Sequence, residues 1–162
     1  MSLLEFKNVY FEDCETTIIK NLSLCIEKND FVSIMGPSGS GKSTFFKLCS
    51  HLISPSKGTI LFHNNNYITY DSVQLRKKIA YCFQTPYLFG NKVIEDLNFP
   101  FEIRDKVPNL DQIYTLLSKF NLEESILSKD TKNLSGGEKQ RIALIRTLLF
   151  PPEILLQIGR AS

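Results

Sequence analysis

Apolar and polar positions alternate with period two over two stretches near the start of the chain. Residues 3–11 (LLEFKNVYF) and 18–26 (IIKNLSLCI) read as strands, and in the second Ile18, Leu22, Leu24 and Ile26 share one face. The polar stretch 13–17 between them predicts an antiparallel hairpin. After a Lys28-Asn29-Asp30 turn, Phe31-Val32-Ser33-Ile34-Met35 is almost wholly apolar, the pattern of a strand buried in a parallel sheet. Residues 45–52 then read as a helix, and 58–63 and 78–83 as further strands.

The period changes in the middle of the chain. Ile113, Leu116, Leu117 and Phe120 recur at i, i+3, i+4 and i+7, so 109–120 predicts an amphipathic helix. Before it, Asn98-Phe99-Pro100-Phe101 is too aromatic for a plain loop and too broken by proline for a helix. A last helix runs from Gly136 to about Leu149, where Pro151-Pro152 ends it and Ile154-Leu155-Leu156 opens a buried strand. No internal repeat and no low-complexity tract interrupts this order. The pattern predicts an α/β fold in one domain, with a helical insert at about 90–133.

Composition narrows the class. Hydrophobic content of 43% and charged content of 22% are those of an ordinary globular protein. A net charge of +2 gives no reason to expect a nucleic acid partner. Cys14, Cys25, Cys49 and Cys82 lie far apart without a CxxC pair, so they read as reduced thiols and not as disulfides or zinc ligands. No signal peptide and no apolar run of the roughly 18 residues that cross a bilayer is present, which predicts a cytosolic chain.

Chemistry enters at Gly36-Pro37-Ser38-Gly39-Ser40-Gly41-Lys42-Ser43, which fits G-x-x-x-x-G-K-[ST]. Glycines let such a loop curl until its N–H groups converge on phosphate oxygens, and the following helix adds its positive end. Lys42 supplies a full charge, and the Ser43 hydroxyl is placed to ligate Mg²⁺. A strand ending at Met35 and a helix starting after Gly41 would be the right setting for a nucleoside-triphosphate site. A second motif is Leu134-Ser135-Gly136-Gly137-Glu138, followed by Lys139-Gln140-Arg141. Ser135 and Glu138 form a capping box, but a cap does not need two glycines. Gly136 and Gly137 leave the helix N-terminus open to an incoming anion.

GPSGSGKST, Gln84 within YCFQTPYLFG, and LSGGEKQRIALIRTLL together resemble the Walker A, Q-loop and signature motifs of ABC-transporter ATP-binding subunits. The stretches YCFQTPYLFG, DLNFPFEIR and IRTLLF further resemble the subunits of bacterial iron- or metal-export ABC transporters. The resemblance covers the chain as far as Leu156. It implies a P-loop NTPase (RecA-like) core with an N-terminal antiparallel β subdomain, a helical subdomain at about 90–133 running into the signature helix at 135–149, and a C-terminus that is incomplete. It implies ATP and Mg²⁺ as ligands, with phosphates held by Gly36, Ser38, Gly39, Ser40, Gly41, Lys42, Ser43 and Thr44. Lys42 and Gln84 would serve catalysis, and Ser43 and Gln84 would approach the metal. Ser135, Gly136, Gly137 and Glu138 would meet the ATP held by a second copy in a head-to-tail dimer.

The same resemblance implies a transmembrane permease as partner, facing Val93–Phe101, and a place at the inner face of the cell membrane. The pair Phe99 and Phe101 is equally readable as core. The family's adenine-stacking aromatic aligns near Asp13, a departure from its pattern that leaves Tyr10 and Phe11 as the substitutes. The family's strand after the signature helix is four apolar residues followed by Asp-Glu. Here the fourth apolar place is Gln157, the acidic places fall on Ile158 and Gly159, and QIGRAS looks foreign to the strand. His51 and His63 come too early to act as the family's late histidine. The expectation is an ATPase by family whose present chain binds nucleotide without hydrolysing it. A non-enzymatic nucleotide-binding fragment and a soluble ABC ATPase outside transport are the other readings; kinases and GTPases lack LSGGE.

Overall fold

The computed structural model describes residues 2–83 and 85–157, which fall into two compact units meeting in sequence at Tyr81 and Cys82. In the first unit, β1 (Ser2–Asp13) and β2 (Thr16–Glu27) form the expected antiparallel hairpin. β3 (Lys57–Phe62) pairs antiparallel with the other edge of β1, and β4 (Asn65–Asn66) with β3, giving the order β2-β1-β3-β4. Leu4, Phe6, Val9, Ile60 and Phe62 fill the buried face.

Period two does not survive the whole hairpin. The β1–β2 register shifts between Phe6 and Val9, where Asn8 takes a left-handed φ of 48° and places Val9 rather than itself in the core. A short polar side chain that can bond locally tolerates that conformation. Asn8 Nδ2 donates to Asn21 Oδ1 at 3.0 Å, and Asn21 is left-handed as well. The second bulge corrects the sequence reading of β2. Leu22, Leu24 and Ile26 do share a half-buried face, but the fully buried residue beyond Asn21 is Ile19, with Ile18 only partly covered.

α1 (Lys42–Cys49) begins at Gly41 and buries Phe45, Leu48 and Cys49, with the Phe45 ring 5.2 Å from that of Phe6. α2 (Ser72–Lys78) is capped by Asp71, whose carboxylate accepts from Val73 N and Gln74 N. β5 (Ile79–Cys82) follows directly. The buried strand expected at 31–35 is not formed: Phe31 is 98% exposed and Met35 89%. A parallel strand needs a ladder partner for its peptide groups and cover for both faces. No strand among the described residues pairs with this segment.

In the second unit, α3 (Val93–Glu102), α4 (Leu110–Lys119) and α5 (Gly136–Leu148) pack around Leu97, Phe101, Ile113, Leu117, Ile142 and Ile145. α4 and α5 lie where their periodicity puts them. α3 corrects the reading of 98–101 as neither loop nor helix, since Pro100 sits inside its last turn. Proline there costs one hydrogen bond, and burial of Pro100 and Phe101 in the core offsets it. The Phe99/Phe101 question resolves one of each way. Phe101 is core, against Phe150 at 5.0 Å, whereas Phe99 is 36% exposed and lies beside Phe89. β6 (Ile154–Gln157) alternates, with Ile154 and Leu156 buried and Leu155 exposed. None of the described helices is long and apolar enough to cross a membrane.

Candidate functional site

Residues Gly36–Ser40 form an open loop, Gly41 caps α1, and Lys42, Ser43 and Thr44 make its first turn. Gly41 has φ 87°, and a Cβ on it would come within 3.2 Å of the Ile18 side chain, so only glycine turns the loop into the helix here. Inside that turn the Lys42 ammonium donates to Gly36 O at 2.6 Å, Pro37 O at 2.7 Å and Ser40 Oγ at 3.3 Å. Three neutral acceptors hold a full positive charge at the mouth of a helix whose first N–H groups have no intrahelical partner. Chemically such an arrangement suits an anion. For a metal the fit is thinner: Ser43 offers a hydroxyl, but no group of three or more His, Cys, Asp or Glu among the described residues could hold a cation. Phosphate oxygens and water would have to complete any Mg²⁺ shell.

The signature segment lies in the second unit. Ser135 caps α5 in a reciprocal box, with Glu138 N donating to Ser135 Oγ at 3.2 Å and Ser135 N to Glu138 Oε2 at 2.8 Å. The Ser135 hydroxyl also donates to Glu138 Oε2 at 2.7 Å. A Cβ on Gly136 or Gly137 would meet nothing within 4 Å. This fold's own packing therefore does not demand glycine at either place, and the open surface above the helix end is what the pair preserves.

The bonds from the Ser135 hydroxyl and N–H, helped by Lys129, hold the Glu138 carboxyl below the usual glutamate range. A depressed folded value stabilises the cap above the ordinary glutamate range, and that stabilisation is lost as pH falls through the lowered value. Amide exchange in the first turn of α5 should therefore quicken in acid. Glu138→Gln should flatten that pH profile; an unchanged profile in the variant would exclude the carboxylate as its source.

Gln84, Ile158 and Gly159 lie outside the described residues. Tyr10 and Phe11 are half-buried on β1, Asp13 is exposed at its end, and the Lys57 ammonium stands 6.0 Å from the Tyr10 ring. All four cysteines are free thiols; burial pushes those of Cys49 and Cys82 upward, while Cys14 and Cys25 are exposed.

One cluster was not anticipated from sequence. Asp96, fully buried on α3, accepts at Oδ1 from Arg146 Nη1 and from Phe89 N, each at 2.7 Å. Arg146 Nη1 also donates to Tyr87 O at 3.0 Å. The signal was present as a carboxylate flanked by Val93 and Leu97 on an apolar stripe, where an unpaired acid is not tolerated.

The glycine-rich loop before α1 and the bare-ended, capped α5 carry motifs of one class, the nucleotide-binding components of transporters. The chain belongs to the ABC transporter family, whose match extends over residues 19–157. It is 43% identical over 154 residues to the Escherichia coli K12 protein named Probable iron export ATP-binding protein FetA, covering 95% of this chain and 68% of that one. CbiO1 from Clostridium perfringens, part of the cbiONQ ABC transporter complex, superposes with a TM-score of 0.81 at 28% identity, over 95% of this chain and 64% of its own. A bacterial Atm1-family ABC exporter with ATP bound gives a TM-score of 0.82 at 26% identity, over 94% of this chain and 28% of that chain.

Proposed function

We propose that the chain is an ATP-binding subunit that takes MgATP at residues 36–44 and, with a second copy and a membrane subunit, serves transport. The observation that carries this reading is the Lys42 ammonium, gathered by Gly36 O, Pro37 O and Ser40 Oγ at the head of α1. Neutral carbonyls hold such a charge weakly enough that a phosphate can recruit it, and charge-assisted bonds to phosphate are the stronger ones. Gly36, Ser38, Gly39, Ser40, Gly41 and Thr44 would supply the rest of the cradle, mainly through backbone N–H groups. Ser43, joined by Gln84, would ligate Mg²⁺, which when bound spreads the phosphate charge.

Ser135, Gly136 and Gly137, with Glu138 behind them, would receive the γ-phosphate of nucleotide held by the second copy. That Gly136 and Gly137 are free of packing supports this. The two units would then act as one ATP-binding domain, with the helical part at about 90–133 running into the signature helix. Val93–Phe101, whose Phe99 is exposed, would face a transmembrane permease, placing the subunit in the cytoplasm at the inner face of the membrane. Iron or another metal ion is the proposed cargo, on the identity to FetA. Isoleucine and glycine at 158 and 159 favour a second reading beside it, a subunit that binds nucleotide without turnover.

Calorimetry with ATP and ADP tests the core of the proposal. Lys42→Ala should lose about 1.5–3 kcal/mol of binding, a factor of roughly 10–100. Equal affinity in the two proteins would remove residues 36–44 from the site.

A further inference from the structure

We infer that Arg146 and Asp96 are a positioning pair that clamps the main chain leaving Gln84 onto the signature helix. The inference rests on the proposed roles of Gln84 and of Ser135–Gly137, and concerns how the two are joined.

A buried ion pair is by itself weak evidence for stability, because hydrocarbon of the same volume holds two helices at least as well. Around this pair Leu97, Ile142 and Ile145 already bring α3 and α5 together. Hydrocarbon cannot hold a loop's peptide groups, and that is where these two side chains are directed. Asp96 Oδ1 takes the Phe89 N–H, and Arg146 gives a second bond to Tyr87 O. Asp96 Oδ2, also buried, has no hydrogen-bond partner. The carboxylate is thus oriented for the loop and the guanidinium at the cost of its other oxygen.

Side chains repeat the fastening. The Arg146 guanidinium lies 4.5 Å from the centre of the Phe89 ring, within cation–π range. Phe89 also contacts Tyr87 at 5.4 Å and Phe99 at 5.0 Å. The loop's far end is tied separately, by Thr131 Oγ1 to Gly90 O and Thr131 N to Asn91 O, each at 2.8 Å. Only Thr85 and Pro86 separate the fastened segment from Gln84. At the other end, α5 is a rod of 13 residues, about 20 Å long, that starts at the signature glycines. A displacement of its N-terminus by an arriving phosphate is handed through Arg146 to residues 87–89.

Amide exchange of residues 87–91, measured on the full chain with and without MgATP beside nucleotide affinity, tests the clamp. Arg146→Met should speed exchange at Phe89 by at least about tenfold and abolish its response to MgATP. Affinity should stay within about twofold, since the nucleotide contacts proposed at residues 36–44 are left in place. Asp96→Asn keeps an oxygen acceptor for both donors and should retain most of the protection. Wild-type exchange at 87–91 in Arg146→Met would overturn the inference, as would a wild-type loop that ignores MgATP while binding it. Should Arg146→Met fail to fold, Arg146→Lys replaces it: its ammonium rides on a shorter stem and lacks the planar guanidinium that lies over Phe89, and intact protection there would count against the clamp equally. If the wild type binds no ATP, the nucleotide site is what fails, and the exchange comparison still judges the clamp.

Discussion

Phosphate release from ATP by this chain should stand no higher than release by its Lys42→Ala variant. Phosphoryl transfer is carried by positioning and by electrostatic stabilisation, and the metal and the oriented water are central to both. By resemblance those tasks fall to two acids directly after the strand that here is Ile154–Gln157, and the chain has isoleucine and glycine there. Neither can anchor a metal or accept a proton from water. A missing general base alone costs roughly 10²–10⁴-fold, enough to bring a slow ATPase to background. Lys42 and the loop amides are untouched by this defect, so binding should persist in the calorimeter while turnover is absent. Wild-type release more than tenfold above Lys42→Ala, with contaminants excluded, would show that another group does the work.

The second large effect concerns stability. Gly58, the second residue of β3, has φ 86°, and a Cβ there would lie 2.3 Å from Asn8 O and 2.6 Å from Lys7 O. Both neighbours are backbone of the central strand, at the point where the β1–β3 register shifts between Lys7 and Tyr10. Relief would require moving β1 itself. Gly58→Ala should therefore cost about 2–5 kcal/mol, the left-handed penalty plus that of overpacking, against a usual total of 5–15. Gly137→Ala is the control, because its methyl would meet nothing and alanine favours helix. Urea midpoints for the two should move in opposite directions; a shift for Gly58→Ala as small as the control's would show that β1 can yield.

What the sequence could disclose depended on how local the physics was. The capping box of Ser135 and Glu138 and the stripe of Ile113 and Leu117 are settled by neighbours a turn away, and both were legible. The turn from the glycine-rich loop into α1 was legible too, because glycines ahead of Lys42 leave the chain free to make it. Ile18 was put on the face of Leu22 in place of the buried Ile19 because left-handed Asn8 and Asn21 reset the period, a cross-strand event that one strand's pattern cannot display. Residues 31–35 went wrong for a related reason: an apolar run states what would be buried, not whether ladder partners exist. The proline in α3 misled because the tertiary burial of Phe101 outweighed a local break. Asp96 and Arg146, 50 residues apart, were invisible as a pair, although the buried acid alone was a clue.

The bare segment before the phosphate loop has a thermodynamic consequence. The loop is anchored downstream by α1, but upstream Phe31–Met35 make no sheet ladder, and Lys42 ties Gly36 and, with Ser40 N, Pro37 in place. An arriving phosphate that recruits the ammonium takes over that tie, so it must act as scaffold as well as ligand. Fixing backbone costs about 1–2 kcal/mol per residue, and this falls on the binding step instead of having been met during folding. Nucleotide affinity is thereby a reading of how much of the loop remains to be built when the anion arrives.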